Sequence, residues 1–179
     1  MNYVYPLASA VRQRMSGIRL AIFDIDGVMT NGQLIFTDSG EEAKAFHVHD
    51  GLGIKWLMNH GIEVAVITAR KPPVVGHRLK GLGVQYYYHG MVNKLDAYAD
   101  LKAKLTLSDD AIAYTGDDLI DVGIMRQCGM AFAVPNGHER VKKIAHLTLK
   151  HAGGAGAVRE VSELLLDAQG KLEGILSSY

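Results

Sequence analysis

The chain has 179 residues, enough to bury one sizeable core and too few for two ordinary enzyme domains, so a single domain over 1–179 is expected. Nineteen basic residues balance nineteen acidic ones; no overall field draws nucleic acid or an anionic membrane, and any anionic ligand must be met by a local site. A lone cysteine, Cys128, excludes an internal disulfide, and no apolar run approaches the roughly twenty residues that span a bilayer.

The amino-terminal stretch MNYVYPLASAVRQRMSG has no continuous apolar core, so it does not read as a signal peptide and a cytoplasmic protein is expected. The first strand is expected at RLAIFD, running straight into Asp24 and Asp26 and then a turn at Gly27. Residues 33–49 read as two extended runs joined at DSG, a β-hairpin insertion before a helix that starts near Gly51. His47 and His49 alternate on one face of the second run, and with no third ligand at suitable spacing they read as polar hairpin residues rather than a transition-metal site.

Further strands are expected at IEVAVIT, VQYYY, AIAYT and MAFAV, with helical patterns in most of the intervals. Gly61, Gly83 and Gly129 follow helical runs as left-handed stops. Within 92–105, Leu95, Tyr98, Leu101 and Leu105 form one stripe of a surface helix. HAGGAGAVRE reads as a mobile strand-to-helix connection able to present Arg159, and residues from about 169 to 179 as a mobile tail. Strands alternating with helices define an α/β fold: a three-layer, doubly wound, Rossmann-like and mostly parallel sheet.

In such sheets ligands bind at the carboxyl ends of the strands. Four groups stand there: Asp24 and Asp26, Thr68 with Arg70, Lys94, and GDDLID at 116–121. They suit phosphate chemistry. Asp24, Asp26 and Asp117 supply hard oxygen ligands for magnesium, and an aspartate beside the ion can attack phosphorus, which divides hydrolysis into two easier steps. Thr68 can donate to a phosphoryl oxygen, and Lys94 can place a compact positive charge on it. Asp118 and Asp121 either support this group or cap a helix. Arg70 and Arg78 either bind a sugar carboxylate or stay solvated.

DIDGVMTNG, ITAR, Lys94 and GDDLID, in this order, resemble the four motifs of the haloacid dehalogenase-like superfamily in its phosphatase form. The resemblance implies that Asp24 is the nucleophile and Asp26 the general acid and base, that Thr68 and Lys94 stabilise the phosphoryl group, and that Asp24, the Asp26 carbonyl and Asp117 hold Mg2+, with Asp118 and Asp121 supporting. The hairpin, the run HVHDGLGIKWL, Arg78 and the carboxyl-terminal stretch look like the 3-deoxy-D-manno-octulosonate 8-phosphate phosphatases of lipopolysaccharide synthesis. That likeness implies a small-molecule sugar-acid phosphate as substrate and Asp50, Gly51, Arg70, Arg78 and Arg159 as its contacts. It also implies a homotetramer built on the hairpins, in which one subunit's tail reaches a neighbouring site. His49 departs from it, standing where arginine is expected.

The insertion sites that carry a lid in larger relatives hold only the hairpin and, over 71–93, a helix and a strand, so the chain is capless. An exposed hairpin invites pairing with a neighbour, which points to a homo-oligomer. Two other readings stay open. A sialic-acid-type 9-phosphate is the alternative substrate. A phospho-aspartate receiver domain uses a similar set of groups, although there adjacent acids open the order and the phosphorylated Asp lies on a middle strand.

Overall fold

Successive side chains of a strand point to opposite sides of a sheet, and here both sides are apolar. In this computed structural model, which describes residues 7–179, the strands are β1 (Leu20–Phe23), β4 (Glu63–Thr68), β5 (Tyr86–His89), β6 (Ile112–Gly116), β7 (Met130–Ala133) and β8 (Leu147–Thr148). They form one parallel sheet in the order β5–β4–β1–β6–β7–β8. A separate antiparallel pair, β2 (Ile35–Phe36) and β3 (Glu42–Ala43), is the hairpin.

The helices divide between the two faces. Ala21, Phe23, Val66 and Phe132 pack in one core with residues of α1 (Ser9–Ser16), α2 (Val48–Asn59), α3 (Pro73–Leu82), α7 (Ala157–Ala168) and α8 (Leu172–Leu176). Ile22, Ile67, Tyr114 and Ala133 pack in the other with α4 (Lys94–Leu105), α5 (Val122–Met125) and α6 (Glu139–Ile144). This is the three-layer doubly wound fold expected from the alternating pattern. From β1 the sheet grows through β4 and β5 to one side and through β6, β7 and β8 to the other. The crevice at that reversal lies over the carboxyl ends of β1, β4 and β6, where Asp24, Thr68 and Asp117 stand.

Several expectations need correction. The helix expected near Gly51 begins at Val48, so His47 is its N-cap and His49 lies in its first turn rather than on a hairpin strand. The acidic Asp50 in that turn suits the positive end of the helix dipole. The helix expected to stop at Gly129 ends at Met125. Gly129 is there for closeness: its N–H donates to Asp109 O at 2.8 Å, and a Cβ would lie 2.5 Å from Asp110 O. In the helix over 92–105 the fully buried stripe is Ala97, Tyr98 and Leu101, with Leu95 and Leu105 half-buried.

HAGGAGAVRE is closely packed rather than loose. The buried carboxylate of Glu160 accepts from the backbone N–H of Lys150 and His151, and Gly154 N donates to Val28 O at 3.1 Å. Residues 169–179, expected as a mobile tail, carry α8; Leu172 and Ile175 are buried, and Trp56 Nε1 donates to the Tyr179 hydroxyl at 3.1 Å. The first six residues of the stretch read as lacking a signal-peptide pattern, which are also the first six of the expected domain, lie outside the described residues. No helix among the described residues is long and apolar enough to cross a membrane.

Candidate active site

A cavity of about 280 Å3 is lined by Asp24, Asp26, Thr68, Arg70, Asp117 and Asp118, with Gly32, Leu34 and Ile120 at its edge. Lys94 lies beneath it, buried, at the first position of α4, where the side chain of Asn93 caps the helix by accepting from Leu95 N. Its ammonium is 2.8 Å from Asp24 Oδ2, 2.7 Å from Asp121 Oδ1 and 3.3 Å from the Tyr114 hydroxyl. All three of its protons therefore have an acceptor. Burial works against this charge, but Asp24 and Asp121 outweigh it and raise the lysine pKa above its ordinary value.

Asp121 is the most heavily used acceptor around this cavity. Oδ1 receives Lys94 and the Tyr114 hydroxyl (2.6 Å), while Oδ2 receives the backbone N–H of Asp117 at 2.9 Å and of Asp118 at 3.1 Å. Asp118 caps the short helical turn that follows, its side chain accepting from Leu119 N, so the capping reading of Asp118 and Asp121 is realised. Asp121 is a capping residue and also the anchor of Lys94.

Asp24, Asp117 and Asp121 each offer a carboxylate oxygen within 4.8 Å of the others. Crowding leaves its mark on acidity. Burial, and then the charge on Asp121, push the Asp24 carboxyl up to about 7 against the pull of Lys94. Burial and then Asp24 and Asp121 push Asp117 up to about 8. Asp117 Oδ1 is buried without a hydrogen-bond partner among the described residues. Two hard carboxylates crowded together with a single ammonium beside them, one with an orphaned oxygen, are a donor set that a divalent cation fits. Asp121 is the less available ligand, because its two oxygens already accept from four donors, whereas those of Asp24 meet only Ile25 N and Lys94.

Gly27 makes the approach of Asp117 possible. It has φ +92°, and a Cβ there would lie 2.1 Å from Asp117 Oδ2. The carbonyl of Gly27 accepts from Asn136 Nδ2 at 3.1 Å, and Asn136 Oδ1 accepts from Gly153 N at 2.8 Å. Gly153 sits so close that a Cβ would come 1.7 Å from Gly27 O. The glycine-rich run after β8 thus props the loop that follows Asp24.

Not every expected residue meets at this cavity. Arg70 does, with Nη2 2.7 Å from Glu42 Oε2 and Nε 3.9 Å from Asp26 Oδ2. Asp50, Gly51, Arg78 and Arg159 do not line it. Asp50 Oδ1 accepts from Arg159 N at 2.8 Å, the Arg78 guanidinium lies 5.8 Å from the Phe46 ring centre and packs against Gly51, and that of Arg159 stacks 3.7 Å over Trp56 and pairs with Glu163. Within one chain these four gather around the start of α2. Four contributors went unrecognised in the sequence: Lys44, paired with Asp26 and Glu42, together with Glu42, Tyr114 and Asn136. Asn136 follows a strand end and could have been collected by the rule that found the others. Glu42 and Lys44, two apart on an extended run, share a face.

A parallel sheet carrying an acidic pair, a threonine, a lysine and a second acidic pair at its carboxyl ends defines a phosphate-handling hydrolase. A family model described as haloacid dehalogenase-like hydrolase matches residues 88–161. The chain is 46% identical over 94% of its length, and 90% of the relative's, to the 3-deoxy-D-manno-octulosonate 8-phosphate phosphatase KdsC of Yersinia pestis. It superimposes on a crystal structure of the Yersinia pestis phosphatase with TM-score 0.93 at 46% identity, covering 94% of this chain and 91% of that one. It superimposes equally well (TM-score 0.94, 38% identity, 96% and 99% covered) on the phosphatase of Moraxella catarrhalis in complex with a magnesium ion, a phosphate ion and KDO. The chain belongs to the 3-deoxy-D-manno-octulosonate 8-phosphate phosphatase family of haloacid dehalogenase-like hydrolases, and it is a phosphomonoesterase.

Proposed function

We propose that this enzyme hydrolyses 3-deoxy-D-manno-octulosonate 8-phosphate to 3-deoxy-D-manno-octulosonate and phosphate in the cytoplasm, as a step of lipopolysaccharide synthesis. The observation that carries the reading is identity of 46% to a phosphatase of that name, sustained over 94% of the chain. Asp24 Oδ attacks phosphorus; the new P–O bond forms as the bond from phosphorus to the sugar oxygen breaks, and Asp26 gives that oxygen its proton. Asp26 then takes a proton from water as the water attacks the phosphorus of the aspartyl phosphate, which restores Asp24 and releases phosphate.

Thr68 donates its hydroxyl proton to a phosphoryl oxygen. Lys94 shares its charge between Asp24 and the phosphoryl group, giving up its longest contact, to Tyr114 at 3.3 Å, to do so. Asp24, the Asp26 carbonyl and Asp117 would hold Mg2+, which when bound offsets the negative charge of the carboxylates and phosphoryl oxygens. Asp118 and Asp121 hold the loop that carries Asp117. A receiver reading loses support, because the chain belongs to a phosphatase family.

A phosphate-release screen over sugar phosphates tests the substrate. Octulosonate 8-phosphate should exceed generic esters, and a sialic-acid-type 9-phosphate, by at least about 10-fold in kcat/KM, or about 1.4 kcal/mol of transition-state binding. Equal rates would leave only the phosphatase class standing.

A further inference from the structure

We propose that Lys44, carried by the hairpin, is a positioning residue for Asp26. It pins one carboxylate oxygen so that the other is presented to the leaving oxygen of the substrate. This rests on the reading of Asp26 as general acid and base.

The hairpin is otherwise poorly anchored. Ile35 and Phe36 are 48% and 58% exposed, and each strand has only two residues. Yet the Lys44 side chain is 1% exposed. An ammonium is buried only where charges repay its lost hydration. Lys44 Nζ pairs with Asp26 Oδ1 and, at 2.7 Å, with Glu42 Oε1. Glu42 Oε2 in turn accepts from Arg70 Nη2 at 2.7 Å. Two acids and two bases thus link the hairpin, the loop after β1 and the loop after β4.

The consequence for Asp26 is geometric. A carboxylate on a short side chain turns easily about its last torsion, whereas proton transfer needs the donor oxygen within about 2.6–3.2 Å of its target. Lys44 occupies Oδ1. Among the described residues Oδ2 has only Arg70 Nε in reach, at 3.9 Å, too long for a hydrogen bond, so it is the oxygen left free to carry a proton. The hairpin therefore completes the acid and base from the side.

The test compares two esters that differ only in how much their leaving oxygen needs a proton: phenyl phosphate, and 2,4-dinitrophenyl phosphate, whose phenoxide departs unaided. kcat/KM is measured with magnesium present, since it reports the chemistry up to departure of the leaving group. Lys44→Met should lower kcat/KM for phenyl phosphate by about 10-fold or more, a part of the roughly 100- to 10,000-fold that a general acid contributes, and leave that for the dinitrophenyl ester nearly unchanged. Lys44→Arg should recover most of the loss. An equal loss on both esters, or no loss on either, overturns the role of Lys44. Asp26→Asn run alongside keeps the two readings apart: if it too lacks leaving-group selectivity the acid assignment fails, whereas a selective Asp26→Asn with an unselective Lys44→Met overturns Lys44 alone.

Discussion

Gly27 and Asp117 stand so close that a single methyl group on the glycine would lie 2.1 Å from Asp117 Oδ2. The first strand's loop and the third acidic group of the site are thus fitted to each other through the absence of a side chain. Gly27→Ala should displace the Asp117 carboxylate, and the residue would also have to hold φ +92°, a strain of about 1 kcal/mol or more for an L side chain. Magnesium affinity, read by titration calorimetry, is expected to fall at least about 10-fold, or about 1.4 kcal/mol. Unchanged affinity would remove Asp117 from the metal site.

Metal-free protein should lose stability as pH rises through neutrality. Asp24 and Asp117 are pushed up to about 7 and about 8, above the ordinary carboxylate value, by burial and then by neighbouring carboxylates, Asp121 for Asp24 and both Asp24 and Asp121 for Asp117. The folded state then keeps protons that the unfolded chain releases above pH ~4. Stability from this source is complete below that pH and is lost as pH climbs through about 7 and 8. With excess chelator, Tm should fall by more than ~2–4 °C between about pH 6 and pH 8.5, equivalent to about 1 kcal/mol for a chain of this size. Magnesium favours the charged carboxylates, so the rise in Tm on adding it should be larger at the higher pH. A Tm that stays flat in chelator would contradict the raised pKa values.

The same physics decides what the sequence makes legible. Four of the five longer strands stand out because burial on both faces leaves runs such as AVIT and MAFAV nearly free of polar residues, while the half-buried edge strand β5 shows itself by its run of tyrosines. β8 is two residues at the sheet edge and has no period to detect. Asp24, Thr68, Lys94 and Asp117 could be collected because a doubly wound sheet gathers its chemistry at strand ends. Lys44 and Glu42 could not: a charge on an exposed hairpin reads as solvated, and only the fold brings Asp26 and Arg70 beside them. The helix start at Val48 and the closeness required of Gly129 likewise depend on partners far along the chain.

Tyr114 and Asp121 offer a graded pair of substitutions. Tyr114→Phe deletes one hydroxyl that donates to Asp121, which keeps Lys94 and two backbone amides. The cost should be about 1 kcal/mol, with activity retained to within about 10-fold. Asp121→Ala leaves the buried ammonium of Lys94 with half its countercharge and orphans both amides, and should cost about 3–5 kcal/mol and abolish turnover. Denaturant unfolding of the two variants checks the order. If Tyr114→Phe proved as damaging as Asp121→Ala, the hydroxyl and not the carboxylate would be the anchor of Lys94.

The hairpin's exposed apolar residues give the last prediction. Two strands of two residues are not stable alone in water, and Leu34, Ile35 and Phe36 project from them without a core of their own. We propose that identical hairpins cover one another in a homotetramer, the assembly the family resemblance implies. Light scattering should give a mass near four chains, and Phe36→Asp should reduce it by placing a charge where apolar surfaces meet. Phe36 lies opposite Glu42 in the hairpin register, on the face that carries the Glu42–Lys44 pair, so hydrolysis of a small aryl phosphate is expected to fall along with assembly. A mass of one chain for the unaltered protein would refute the tetramer, while unaltered assembly by Phe36→Asp would place its contacts elsewhere on the surface.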